Sequence, residues 1–164
     1  MVTLDFAALS SFFATHTSIE LAFLFGSYAR GQEHALSDVD FAILLVGDPD
    51  AHACLTARMD LISDLASLIQ FDEVDVAILN ESPAALRYRV LRDGKLLFCR
   101  DEDVRIAFYL QTVNEYLDFL PILERHQRAI LERARRGELT HEHNPYYGAL
   151  ERHRRLRERL NSDS

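Results

Sequence analysis

The sequence predicts a single α/β domain with a helical appendage. Short apolar runs rich in β-branched and aromatic residues, Ile19 to Phe25 above all, end at turn residues as buried strands do. Between them lie stretches whose apolar residues recur every three or four positions, as amphipathic helices require. The chain has 164 residues with 48% apolar content, enough for one sizeable core and too few for two.

In chain order, Leu4, Phe6, Ala7, Leu9, Phe12 and Phe13 cluster at helical spacing. They predict a first helix with Thr3 as N-cap, ending near His16. Ile19 to Phe25 reads as a central strand that stops at Gly26, and Asp38 to Val46 as a second. Gly47-Asp48-Pro49-Asp50 is a turn that offers an N-cap and an early helical proline. Leu55, Met59, Ile62, Leu65, Ala66 and Ile69 then mark a helix of about five turns. Val74 to Leu79 is a third strand. Ser82 and Pro83 are expected to cap and open a helix over 84–91, which Asp93-Gly94 closes. Lys95 to Cys99 is a short strand. Asp101-Glu102-Asp103 then places negative charge at the start of a long helix reaching about Arg136, stopped by Gly137. Ile106, Tyr109, Leu110, Val113, Tyr116, Leu117 and Leu120 form its expected buried stripe. Pro121 implies a kink or two consecutive helices. Residues 138–145 read as a loop, and 146–160 as a basic helix or a frayed end.

Charge is unevenly spread. Up to residue 120 the chain carries 8 Lys+Arg against 19 Asp+Glu, and after it 10 Arg against 7 acids, for a total of -8. An acidic body argues against a protein that mainly binds nucleic acid; the Arg-rich end reads as a solvated helix face or a dock for an acidic partner. There is no basic n-region followed by an apolar core, and no run approaches the roughly 20 apolar residues of a membrane span. A cytosolic chain is expected. Cys54 and Cys99 lack any CxxC or Cys/His spacing and read as reduced, mostly buried thiols.

The chemistry concentrates in Phe25-Gly26-Ser27-Tyr28-Ala29-Arg30-Gly31 and Ser37-Asp38-Val39-Asp40-Phe41. Alternation along a strand points Asp38 and Asp40 the same way while Val39 and Phe41 enter the core. Paired carboxylates repel, and Mg²⁺ removes the repulsion while also taking phosphate oxygens. Asp75, in the apolar run Val74 to Leu79, can complete the cluster if its strand lies beside the first. Three such acids can hold two divalent ions. Gly26 allows close backbone approach to phosphates, and the Ser27 hydroxyl and N–H can bond a phosphate oxygen. Arg30 is either an added cation or an exposed partner of Glu33. A lone D-x-D or a lone G-S is weak evidence, because each is common at strand entrances and turns; their combination with a further strand acid is specific.

That combination resembles the nucleotidyltransferase superfamily, whose signature is G-S, a spacer, then D-x-D. Residues 1–100 look like a minimal nucleotidyltransferase domain of the kind paired with HEPN proteins. The similarity extends through Arg87-Tyr88-Arg89-Val90-Leu91-Arg92-Asp93-Gly94-Lys95-Leu96-Leu97 and Tyr116-Leu117-Asp118-Phe119, which resemble the MntA-like adenylyltransferase antitoxins. The resemblance implies an α/β (α+β) fold with a polymerase-beta-like mixed sheet flanked by helices. Residues 101–136 would be a helical extension, and 137–164 a basic tail that the resemblance does not cover. It further implies transfer of AMP from ATP onto a tyrosine of a HEPN ribonuclease toxin, and a hetero-oligomer with that toxin. Asp38, Asp40 and Asp75 would be catalytic and would hold Mg²⁺, two ions in all, while Gly26, Ser27 and Arg30 would hold the ATP phosphates. No membrane and no direct nucleic-acid partner is expected.

Two rival functions share features of this pattern. A small-molecule nucleotidyltransferase of the aminoglycoside-modifying type would usually carry a larger substrate domain than the 64 residues after Arg100. A non-catalytic antitoxin that acts by binding alone has no use for a complete acid triad. Arg136 to His141 fits the R-x4-H spacing of HEPN ribonucleases, but it crosses a predicted helix stop and reads as coincidence. Tyr146-Tyr147, between Pro145 and Gly148, reads as a self-modification site, an interface anchor or, as aromatic residues after proline more often do, a pin that holds the tail to the surface.

Overall fold

The structure, a computed structural model, describes residues 3–34 and 37–136. The helix stop at Gly137, the loop, the final basic helix, His141 of the R-x4-H spacing and Tyr146-Tyr147 lie outside the described residues. Two compact units are present, Met1–Asp118 and Phe119–Ser164.

The first unit holds α1 (Phe6–Thr15), β1 (Ile19–Phe25), α2 (Gly26–Arg30), β2 (Val39–Leu45), α3 (Ala51–Ile69), β3 (Val74–Ile78), α4 (Ala84–Asp93), β4 (Lys95–Cys99) and the first part of α5 (Glu102–Arg135). The four strands form one mixed sheet in the order β3-β2-β1-β4. β1 runs antiparallel to β2 and β4, while β2 and β3 are parallel, a pairing that needs the crossover α3 supplies.

β1 and β2 are buried along nearly their whole length, which explains why they read as continuous apolar runs rather than alternating ones. On one face Val39, Phe41, Ile43, Val76 and Ile78 pack with Leu9 and Phe13 of α1 and Leu61 and Leu65 of α3. On the other, Leu21, Phe23, Ala42 and Leu44 pack with Val90 of α4 and Phe108 of α5. Among the described residues, no helix is long and apolar enough to cross a membrane. Cys54 and Cys99 are free thiols, the first buried and the second half-buried, and burial pushes both above the usual thiol range.

Several local expectations change. The N-cap of α1 is Asp5, whose carboxylate accepts the N–H groups of Ala7 and Ala8 at 2.9 and 3.0 Å; Thr3 lies before the helix. Asp50 caps α3 through the Ala53 N–H at 2.8 Å, which leaves Pro49 outside it. Ser82 does not cap α4. Its hydroxyl donates to the Ile78 carbonyl at 2.7 Å, and Pro83 takes the cap position without a side-chain bond.

The largest change concerns α5. Ile106, Tyr109, Leu110 and Leu117, expected in the core, are all more than 40% exposed, whereas Phe108 is 8% and Thr112 0% exposed. The helix therefore docks through a neighbouring stripe, with Val104 and Phe108 on the sheet, the Arg87–Glu115 ion pair and Tyr88 stacked on Tyr116 with centroids 4.1 Å apart. The helical run continues unbroken past Pro121 to Arg135, so it is not split into two helices. In the second unit, the Arg125 guanidinium donates to the Pro121 carbonyl at 3.2 Å.

Candidate active site

β1 ends at Phe25, which lies opposite Asp40 in the antiparallel register. The next residue, Gly26, turns with φ +71°, and a Cβ there would sit 1.9 Å from Asp40 Oδ2. Only glycine lets the turn backbone close onto that carboxylate. Ser27 follows, half-buried, in the five-residue helix α2. So short a helix has almost no macrodipole, and what it offers an anion is its local N–H groups and the Ser27 hydroxyl. α2 ends at Gly31, whose N–H is satisfied by the Ser27 and Tyr28 carbonyls in a left-handed cap.

The spacer returns the chain to β2 through Ser37, whose hydroxyl accepts the His34 N–H at 2.9 Å while its own N–H donates to the His34 carbonyl at 2.9 Å. This folded loop delivers Asp38, which is exposed, to the mouth of the sheet. The parallel register sets Asp40 against Asp75. Because Val39, Phe41, Val76 and Ile78 all enter the α1/α3 core, alternation sends Asp40 and Asp75 to the opposite face.

Electrostatics agree with that placement. Burial raises the Asp40 carboxyl above its ordinary value, the nearby charges of Asp75 and then Asp38 raise it further, and Arg30 partly offsets them. Asp40 is thus the centre of an acidic group that prefers a proton or a cation beside it. Arg30 does not pair with Glu33; its Nε donates to Gln32 Oε1 at 3.3 Å.

The three acids are nevertheless not drawn into one chelating group. Among the described residues, no set of three or more His, Cys, Asp or Glu side chains is gathered so as to hold a metal ion. Asp75 Oδ1 accepts the Arg58 guanidinium at 2.9 Å and the N–H of Val76 at 2.9 Å. Arg58 belongs to α3, which packs on the far face of the sheet, and it reaches Asp75 around the edge strand β3. Sequence reasoning missed both Arg58 and Ser37. Ser37 is adjacent to the D-x-D and could have been noticed, but nothing in the local pattern marks Arg58.

Comparison with known proteins bears on the same residues. The description "Polymerase beta, Nucleotidyltransferase" matches residues 8–103, a span that contains Gly26, Ser27, Asp38, Asp40 and Asp75. The chain is similar to Protein adenylyltransferase MntA of Shewanella oneidensis, with 34% identity over 98 residues, 60% of this chain and 66% of the relative. It thus spans just under two thirds of that relative's length. Among solved structures, it is similar to a toxin–antitoxin complex with AMP-PNP at 27% identity and a TM-score of 0.61, covering 80% of this chain and 98% of the other. It is also similar to a complex of tri-AMPylated Shewanella oneidensis HEPN toxin with its MNT antitoxin, at 26% identity and a TM-score of 0.51, covering 74% and 87%. With the Gly-Ser turn and the strand acids falling inside the matched span, the chain belongs to the polymerase beta nucleotidyltransferase family.

Proposed function

We propose that this protein is an antitoxin adenylyltransferase that transfers AMP from ATP onto a tyrosine of a cognate HEPN ribonuclease toxin and so silences it. One observation carries the reading: a glycine turn pressed onto a strand carboxylate, with two further acids in electrostatic reach. The similarity to an MntA adenylyltransferase and to an AMPylated-toxin complex supports a toxin as the acceptor.

A divalent cation suits this site. The donor set is all carboxylate oxygen, the preference of Mg²⁺, and mutual repulsion already raises the Asp40 carboxyl. Asp38, Asp40 and Asp75 are the residues that would hold it, two ions being the expected complement. When bound there, such ions neutralise the triphosphate and lower the pKa of the attacking hydroxyl.

The protein's own part is positioning. The N–H groups and hydroxyl at Gly26-Ser27 hold the phosphates, and Arg30 adds a cation on the same side. The tyrosine oxygen attacks the α-phosphorus in line, an O–P bond forms as the bond to pyrophosphate breaks, and the phenolic proton leaves toward the Asp75 carboxylate or water. Orientation and charge neutralisation supply the acceleration. The exposed face of α5, with Ile106, Tyr109, Leu110 and Leu117, is the surface we assign to the toxin, since an apolar helix face left in water is otherwise unfavourable.

Incubation of the toxin with [α-³²P]ATP and this protein tests the proposal. Label should pass to the toxin, and Asp38→Ala and Asp40→Ala should abolish the transfer while leaving the circular dichroism spectrum and melting cooperativity intact. Transfer that survives both substitutions refutes the assignment.

A further inference from the structure

α4 crosses the face of the sheet that carries Asp40: Leu86 and Val90 pack there with Phe23 and with Ala42, two residues along β2 from the acid. The helix ends beside the Gly-Ser turn. It lies against α2, and a Cβ on its cap, Gly94, would stand 3.1 Å from the carbonyl of Leu24, two residues before Gly26. Residues four apart share a helix flank, and the two flanks of α4 differ. One meets α5, through the Arg87–Glu115 pair and the Tyr88–Tyr116 stack. Arg89 and Asp93 share the flank turned away from α5. Charge shows what that flank meets: the Arg92 hydrogen bond holds the Asp93 carboxyl below its ordinary range, and the charges of Arg92, Arg30 and Arg89 lower it further. Arg30 also acts on Asp40. A row of groups thus runs outward from Asp40 through Arg30 to Arg89.

The arginines at this end of α4 are not equivalent. Arg92 is committed: its Nε and Nη2 donate to the two Asp93 carboxylate oxygens, each at 2.7 Å, and its guanidinium lies 5.9 Å from the centre of the Tyr88 ring. Arg89 is exposed, and no hydrogen bond or ion pair ties its guanidinium to another described residue. A planar guanidinium with its fork of donors unused is suited to phosphate oxygens. We propose that Arg89 is a substrate-binding residue that, with Arg30, grips the β- and γ-phosphates of ATP, so that α4 as well as the Gly-Ser turn holds the pyrophosphate that leaves. AMP lacks those two phosphates, so Arg89 tells the triphosphate from the monophosphate. The inference rests on the reading of Gly26-Ser27 as the phosphate turn of an ATP-dependent transferase.

The test is calorimetric titration of the full chain, without toxin, with two probes: α,β-methylene-ATP, whose bridging carbon prevents AMP transfer, and AMP. Arg89→Ala should weaken the triphosphate analogue by about tenfold, the lower end of what a hydrogen bond to a charged group is worth, and leave AMP affinity as it is. Arg89→Lys keeps the charge without the fork and should lose less. Arg89→Gln, the milder change should the alanine variant fold poorly, should show the same selective loss as Arg89→Ala. Unaltered analogue binding in these variants overturns the inference, and so does an equal loss for the analogue and AMP, which would mean a general disturbance of the site. The readout does not depend on the acceptor. A wild-type protein that binds the analogue through Arg89 yet labels no toxin would sink the functional reading and leave this inference standing. Label on the toxin, with analogue affinity indifferent to Arg89, would do the reverse.

Discussion

Asp40 bears an electrostatic cost that its neighbours impose. Its carboxyl is raised above the ordinary value of 3.8 by burial and by the charges of Asp75 and Asp38. The folded state therefore holds this proton more tightly than the unfolded chain does. Stability falls as pH climbs from 3.8 toward the raised value, and the penalty is complete above it. Asp40→Asn should consequently melt higher than wild type at pH 7 in divalent-free buffer, with the gain fading as pH approaches 3.8. Thermal melts across that range check it; a variant that melts lower at pH 7 would contradict the origin assigned to the shift. Gly26→Ala should be severe for a different reason. A non-glycine residue at φ +71° costs roughly 1–2 kcal/mol, and its Cβ would displace Asp40 Oδ2 from 1.9 Å away. A shift of the order of 1 Å in a reacting group can lower turnover about 10²-fold, so steady-state AMP transfer should drop by at least that much while the fold persists. Gly26, Ser27, Asp38 and Asp40 are legible in the sequence because turn and strand bring them together within sixteen residues of chain. Arg58 is not. It meets Asp75 only after α3 has crossed the sheet and β3 has become an edge, neither of which a local pattern encodes.

At the scale of elements, strands read well and helix faces read poorly. β1 falls where its apolar run places it, since a strand buried on both faces has no face to choose; β4, an edge strand only half-buried at best, also falls where its run places it. α5 had to choose. Its sequence carries several apolar stripes, and the helical period alone does not say which one meets the sheet. Phe108 and Thr112 are buried where Leu110 and Leu117 are not, because the Arg87–Glu115 pair and the Tyr88–Tyr116 stack fix the rotation of the helix about its axis. The two stripes should separate cleanly on mutation. Phe108→Ala should cost about 3 kcal/mol of unfolding free energy. Leu110→Glu, on an exposed position, should change stability by less than about 0.5 kcal/mol yet abolish co-purification with the toxin. Urea unfolding and affinity pull-down read the two effects separately; equal stability losses would mean that the exposed stripe is core after all. The cap assignments erred for a related reason. Asp5 and Thr3 are both competent N-caps, and the choice depends on where the first turn packs.

Across the whole molecule, the family is written in a contiguous span, residues 8–103, and one sheet turns that span into a site by setting Phe25 and Asp75 on either side of Asp40. With a net charge of -8, the chain as a whole does not attract nucleic acid electrostatically, and the proposed selection of a protein acceptor would fall to a docking surface such as the outer face of α5. Partner identity is the part least visible in the sequence, since complementarity belongs to two chains and only one is present. The most direct test is intact mass spectrometry of a co-expressed HEPN toxin after incubation with this protein and ATP. The account predicts a mass increase of one or more AMP units, mapped to tyrosine and absent with Asp38→Ala or Asp40→Ala. A toxin that is neutralised while its mass stays unchanged, or that is modified equally by both variants, would contradict it.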